Sequence, residues 1–274
     1  MSFFRRNIAL LTLLLFFNIT ATSPSTAQEK KYEWNTKKDV PLLGIGTAGT
    51  VTSLVLRSQN TPLGMEHIND LNFEPLFGVD QGATENYSLS SQQTSDILLT
   101  ASYALPLSTL LIPEARQDMG IISIMLGESI LINETLTGIT KNLVNRPRPY
   151  AFNTNLDDEI RTADDNNLSF FSGHTSYTAM FTFFSAQVLN TYIENPTTRA
   201  IIWTGAVLWP AATGYFRYDG GKHFVTDVVV GYVVGAAVGY FIPKIHRKEK
   251  EEANPNSFHL DRDASHMLRL VFVF

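Results

Sequence analysis

The chain has 274 residues, 44% of them hydrophobic and 17% charged, with a formal charge of -5 and a mean hydropathy of -0.01. This length can bury a sizeable core, the composition excludes a disordered chain and suits a membrane-associated or deeply packed helical protein, and the lack of a basic excess argues against a nucleic-acid partner. The absence of cysteine removes disulfides, thiolate catalysis and cysteine-ligated zinc together.

Residues 1–27 carry the three-part pattern of a secretory signal: Arg5 and Arg6, an apolar run over 8–17, then Ser25-Thr26-Ala27 as a small-x-small cleavage site. That run is shorter than the ~20 residues a bilayer span needs. Cleavage after Ala27 is therefore expected ahead of an uncleaved anchor, and either places the following residues outside the cytoplasm. Residues 28–96 form an N-terminal segment and loop. Within it, 42–56 is apolar but rich in Gly and Thr, a weak helix or packed surface segment, and 57–93 reads as a long loop around Pro62 and Gly64.

Five helix-like segments follow: 97–112, 119–139, 174–193, 201–216 and 224–242. The last carries Gly231, Gly235 and Gly239, four residues apart on one face where another helix can approach closely. A catalytic helical domain over 97–243 and a polar tail over 244–274 complete the expected organisation. The tail ends in a strand-like alternation over 267–274. At 16–21 residues the segments are just long enough to cross a membrane. If 97–112 enters, 119–139 returns and 42–56 does not cross, Lys141 faces outward. The last segment then delivers Lys244, His246, Arg247 and Lys248 to the inner side, as the positive-inside tendency favours.

Three islands hold the unusual polar residues. In Lys141-Asn142-Leu143-Val144-Asn145-Arg146-Pro147-Arg148-Pro149, the prolines break a helix, leaving Lys141 at its end and Arg148 on a rigid extended turn. Two such cations suit an oxyanion, and a basic helix end answering the dipole is the plain alternative. In Ser172-Gly173-His174-Thr175, Ser172 is a natural N-cap, Gly173 admits a ligand to the backbone and His174 can move a proton there. The plain alternative is an ordinary cap with an incidental histidine. In the run from Arg217 to Asp227, His223 and Asp227 stand four apart. On one helical face, such a carboxylate fixes an imidazole tautomer and aims the other nitrogen outward; a solvated pair is the alternative. No metal-ligand cluster is evident elsewhere.

The pattern Lys-(x)6-Arg-Pro, Ser-Gly-His and Arg-(x)5-His-(x)3-Asp, in this order over 141–227, resembles the signature of the type 2 phosphatidic acid phosphatase superfamily. That family includes membrane lipid phosphatases, soluble class A acid phosphatases and vanadium-dependent haloperoxidases. Two positions depart from it: Phe171 stands where a proline is usual before Ser-Gly-His, and Phe216 where a serine is usual before the third arginine. The resemblance implies an all-α helical bundle, with about five or six membrane-associated helices. It also implies phosphate release without metal or other cofactor. His223 would attack phosphorus and become a phosphohistidine, Asp227 would orient it, and His174 would protonate the leaving oxygen and then activate water. Lys141, Arg148 and Arg217, helped by Ser172 and Gly173, would hold the phosphoryl oxygens.

Four readings stay open at this level. The first is a membrane lipid phosphatase with its site facing the periplasm, acting on a phosphorylated lipid or other small phosphoester. The others are a soluble periplasmic acid phosphatase of broad specificity, a vanadate-dependent peroxidase, and a catalytically inactive helical membrane protein. The acidic loop over 150–170 is expected outside the cytoplasm above the site, as a screen for anionic groups or as a solvated connection.

Overall fold

The computed structural model describes residues 29–72 and 77–248. The signal-like segment and the 267–274 run lie outside the described residues. The fold is all-α. Six long helices carry it: α1 (Thr36–Ser58), α2 (Leu89–Ser102), α3 (Met119–Val144), α4 (Gly173–Tyr192), α5 (Pro196–Asp219) and α6 (Val225–Ile245).

Local chemistry sets their ends. Asn35 caps α1 by accepting from the Lys37 N–H, so the weak 42–56 segment becomes part of a full 23-residue helix. α3 stops where Asn145 turns left-handed at φ 48°, one residue short of the Arg146-Pro147 step that cannot remain helical. Ser172 caps α4 and Asn195 caps α5 through their side-chain oxygens.

The expected helix over 97–112 does not form as one element. α2 ends at Ser102 and a 3₁₀ turn, Leu105–Leu111, follows with Pro106 near its start. Proline offers no N–H to the preceding turn and disfavours the α conformation at the residue before it. The same helix starts eight residues earlier than its apolar pattern, because Ser88 caps it. Its polar first half is buried against α5: Ser91 donates to Asp219 and Ser95 accepts from Arg217. The topology that used 97–112 as the entering span therefore loses its first crossing. Three of the described helices, Thr36–Ser58, the one beginning at Met119, and Val225–Ile245, are long and apolar enough to cross a membrane, against the five or six expected from the sequence. One of them is α1, which contains the 42–56 segment read as not crossing.

α4 is the hub. Most of its residues are buried, and α6 runs parallel to it. A Cβ on Gly231, Gly235 or Gly239 would overlap the backbone carbonyls of Ser172, Ser176 and Met180, so the glycine face identified from the sequence is the α4 contact. α1 and α3 are also parallel and close: Gly46 meets Leu131, Gly49 meets Thr135 and Gly138 meets Ser53. Hence the C-terminal ends of α1, α3 and α5 and the N-terminal ends of α4 and α6 gather at one end of the bundle. The opposite end holds the lead-in to α1, where Tyr32 bridges to Arg247. There Asp39, Glu128 and His246 meet, a grouping of metal-ligand type whose members are too far apart in the chain to be seen as a cluster in the sequence.

Candidate active site

All three islands converge at the first of these ends. Lys141, in the last turn of α3, donates from Nζ to the Leu168 carbonyl at 2.6 Å. Its stem passes the start of α4, where a Cβ on Gly173 would lie 3.7 Å from Lys141 Cε. Arg148 follows on extended backbone at φ -79°, ψ 154°. Its guanidinium spans Asp165 Oδ2 at 2.8 Å and the Lys222 carbonyl at 3.1 Å, the latter beside His223. Arg217, in the last turn of α5, is buried and donates to Ser95 Oγ and Asp96 Oδ1 at 3.3 and 3.5 Å, while its Nε has no partner.

His223 is the deeper of the two histidines, with its side chain 2% exposed against 22% for His174. Burial, then Arg148, Lys141 and Arg217 in turn, push its pKa well below the usual imidazole value. The ring is therefore neutral at neutral pH, with a lone pair free at one nitrogen. The cations that repel its proton are those the sequence singled out for phosphate.

One sequence expectation about the histidines needs correcting. His223 and Asp227 do not stack on one helical face. A turn through Gly221, at φ +67°, ends α5 and puts His223 before the helix, with Phe224 as N-cap and Asp227 as the third helical residue. His223 Nδ1 faces Asp227 Oδ2 at 3.5 Å without a hydrogen bond. The carboxylate is already engaged: it accepts from the Phe224 N–H at 2.9 Å, from Ser169 Oγ and from Arg146. His174 has no carboxylate close to it in the sequence. It has one in space, since its Nε2 lies 2.7 Å from Asp96 Oδ1 on α2. A carboxylate neighbour thus does not distinguish the two rings; depth does.

Asp96 and Arg146 are the residues that sequence reasoning missed. Asp96 lies between His174 and Arg217, where it is an anion held by two positive or protonatable groups. Its own pKa is lowered by His174 and Arg217 against the opposing effect of burial. Burial and Arg217 in turn lower His174 to about 4 even though Asp96 opposes them. No motif announced Asp96, which belongs to a polar stretch read as loop. Arg146 carried no signal that set it apart, since residues two apart on extended chain share a side and both arginines would be assigned to one ligand. Arg148 turns toward His223, whereas Arg146 binds Asp80 at 2.8 Å and Asp227, and lies 4.1 Å over the Phe224 ring. Asp80 also accepts from Thr226 N and Oγ1, so this network fastens the start of α6.

Ser172 spends its hydroxyl on the α4 cap, 2.9 Å from Thr175 Oγ1. Its N–H donates to the Asp227 carbonyl at 3.0 Å, tying the starts of α4 and α6. Lys222 lies 4.6 Å over the Tyr150 ring and is lowered to about 8, by burial first and Arg148 next.

The 150–170 segment is firmly held. Asn166 exchanges two hydrogen bonds with the Leu63 backbone and Asn167 pairs reciprocally with Asn60. Of its acids, Asp157, Asp158, Glu159 and Asp164 are exposed while Asp165 turns in. Arg148 is the strongest influence holding the Asp165 carboxyl far below its usual range, against the opposing effect of burial.

Residues 122–251 match the family model of the PAP2 superfamily. The match spans all three islands. No solved structure matches the chain.

Proposed function

We propose that this chain, which belongs to the PAP2 superfamily, is a phosphatase that releases phosphate from a phosphorylated lipid through a phosphohistidine on His223. The family match supports phosphatase-type activity; the lipid, the covalent intermediate and the residue roles are our reading. The observation that carries it is the gathering of buried His223 with Lys141, Arg148 and Arg217 at one end of the bundle.

In the first half-reaction the free His223 nitrogen attacks phosphorus, and the bond from phosphorus to the leaving oxygen breaks. The three cations take up the charge on the equatorial oxygens, the largest share of the work in phosphoryl transfer. His174, nearer to solvent, gives a proton to the leaving oxygen. A bound phosphate dianion adds negative charge beside His174 and raises its proton affinity from the ligand-free value, so the acid form is supplied by the substrate itself. In the second half-reaction neutral His174 takes a proton from water, whose oxygen attacks the phosphohistidine and frees His223 and phosphate. Asp227 faces Nδ1 and closes to a hydrogen bond as that nitrogen becomes positive.

A lipid substrate is supported by the apolar outer faces of the bundle. Ile45, Val51 and Leu54 on α1, Leu143 and Val144 beside the site, Ile201 and Leu208 on α5, and Val229 and Val233 on α6 are all exposed. Exposed apolar faces suit contact with lipid, and three of the described helices are apolar enough for it. With export by the N-terminal segment, we assign the bundle to the periplasmic side, lying with this face against the membrane. The test is phosphate release by the detergent-purified chain from phosphatidate, an isoprenyl diphosphate and p-nitrophenyl phosphate. Faster turnover of the lipids supports the reading, and equal or faster turnover of the soluble ester means a broad acid phosphatase. Sidedness is read with single cysteines at Asn155, exposed near the site, and Glu33, exposed at the far end. Impermeant maleimide reaching both in intact cells supports a periplasmic bundle, whereas labelling of one alone means that α1 crosses.

A further inference from the structure

The end of the bundle opposite the histidine pair holds a polar cluster that phosphoryl transfer does not use. Asp39 comes from the first turn of α1, Glu128 from the first half of α3 and His246 from the C-cap of α6. All three are at most 1% exposed. His246 Nδ1 lies 2.7 Å from the Ile242 carbonyl oxygen. That oxygen can only accept, so Nδ1 carries a proton. In the neutral ring Nε2 then turns a lone pair toward Asp39 Oδ1 at 3.0 Å and Glu128 Oε2 at 3.2 Å.

Three acceptors thus lie within 4.8 Å of one another. Asp39 is partly answered, since its Oδ2 accepts from the Asn35 N–H at 2.6 Å. Glu128 is not, because neither of its oxygens has a hydrogen-bond partner. A buried carboxylate without a partner is among the costliest groups a fold can carry. The cluster needs a positive charge at its centre.

The donor chemistry says which kind. One imidazole nitrogen and two carboxylate oxygens suit a divalent transition ion such as zinc or manganese, where calcium prefers six to eight oxygens. Ligand atoms bound at ~2.1 Å in tetrahedral array stand about 3.4 Å apart. The spacings of 3.0 and 3.2 Å are within a few tenths of an ångström of that edge. The Nδ1 contact to a backbone carbonyl is also the arrangement that fixes the tautomer of a metal-bound histidine.

We propose that Asp39, Glu128 and His246 bind one divalent transition cation, zinc or manganese, as a structural site that clamps α1, α3 and α6 at the end remote from the phosphate pocket. These are the three helices with the length and apolarity to cross a membrane. The ion ties the N-terminal lead-in to the last turn of α6, where the described chain is otherwise joined by the Tyr32–Arg247 bridge and the Lys38 contact to the Ile245 carbonyl.

The competing account fills the cluster with protons, as an imidazolium beside a carboxylic acid. The full chain, freed of any affinity tag and purified in detergent without chelator, distinguishes them. Elemental analysis should find about one zinc or manganese per chain. Stripping it with chelator should lower Tm, and zinc or manganese chloride alone should restore it. Glu128→Gln and His246→Gln should lose both the metal and the Tm response while still releasing phosphate below their own Tm. If either variant fails to fold, the metal content and Tm response of the parent chain decide. A parent chain that holds no metal and whose Tm ignores both ions overturns the proposal, as does metal retained at full occupancy by both variants. Metal content and Tm need no substrate, so failure of the phosphatase reading leaves this test intact.

Discussion

The two ends of the bundle are opposite in charge and alike in logic. At one end Lys141, Arg148 and Arg217 gather with neutral His223 and leave Arg217 Nε unpartnered. At the other, Asp39, Glu128 and a histidine lone pair face one another and leave Glu128 unpartnered. Each end is short of the charge its ligand would bring. The first deficit is partial, since Arg148 and Arg217 already face Asp165 and Asp96, yet Lys141 and the unpartnered Arg217 Nε still suit an anion, whereas the second end suits a cation. Solvent access separates their roles. His174 gives the first end a partly exposed side, through which a substrate can enter and leave, whereas the second is closed.

The sharpest break in this comparison is His223→Ala. Loss of the nucleophile should cost more than roughly 10³-fold in kcat and abolish acid-labile phosphoenzyme. Phosphate trapped on His174 instead would reverse the two histidine roles, a live question now that both have carboxylate neighbours. Next, Arg217→Ala removes one of the charges facing the transition state and should cost ~10²–10³-fold in kcat/KM. Arg217→Lys should recover little of it, because one ammonium cannot reproduce the guanidinium fork.

Asp96→Asn is expected to act mainly through His174. Asp96 supports protonation of that ring, which burial and Arg217 hold near 4. Without it the proton is lost more readily, so the falling alkaline limb of kcat, which reports the substrate-bound ring, should move to lower pH, with kcat at pH 7 down roughly tenfold. An unchanged pH profile would limit Asp96 to positioning α2. The same ring makes a stability statement. Its folded pKa of about 4 lies below the ordinary 6.5, so the unfolded chain takes up the proton first and Tm should fall as pH drops from 6.5 to 4. Scanning calorimetry of wild type and His174→Gln, which should lose that part of the slope, checks it.

Gly235→Val drives a side chain into the Ser176 carbonyl of α4 and should destabilise the fold by about 1–3 kcal/mol, read as a drop in Tm. The smallest effect on turnover should come from the far end. Glu128→Gln and chelator treatment should each change kcat by less than about twofold when assayed below Tm, since neither touches the phosphate pocket. A large loss of kcat restored by zinc would mean that the two ends are coupled.

How legible each end was follows from how its residues are spaced. Lys141 with Arg148, Ser172 with His174, and His223 with Asp227 are local groups beside prolines, caps and glycines, so residue type and spacing exposed them. The glycine face of α6 was legible for the same reason, since periodicity is local. Asp96 was hidden because a polar helix buried against α5 looks like loop until its partners Arg217 and Asp219 are in place. The split of 97–112 was missed because hydrophobicity outweighed Pro106 in the reading.

By itself the sequence determined an all-α chain with three ordered polar islands, the residues proposed for a phosphate site, and helices apolar enough for a membrane. Covalent neighbours and helical periodicity suffice for these. Only the tertiary structure decided that His223 is the buried ring, that His174 shares Asp96 with Arg217, and that Asp227 serves the start of α6 as well as the histidine. It alone brought Asp39, Glu128 and His246 together. These are consequences of burial and of contacts between helices far apart in sequence, and no local pattern encodes the electric field that such contacts create.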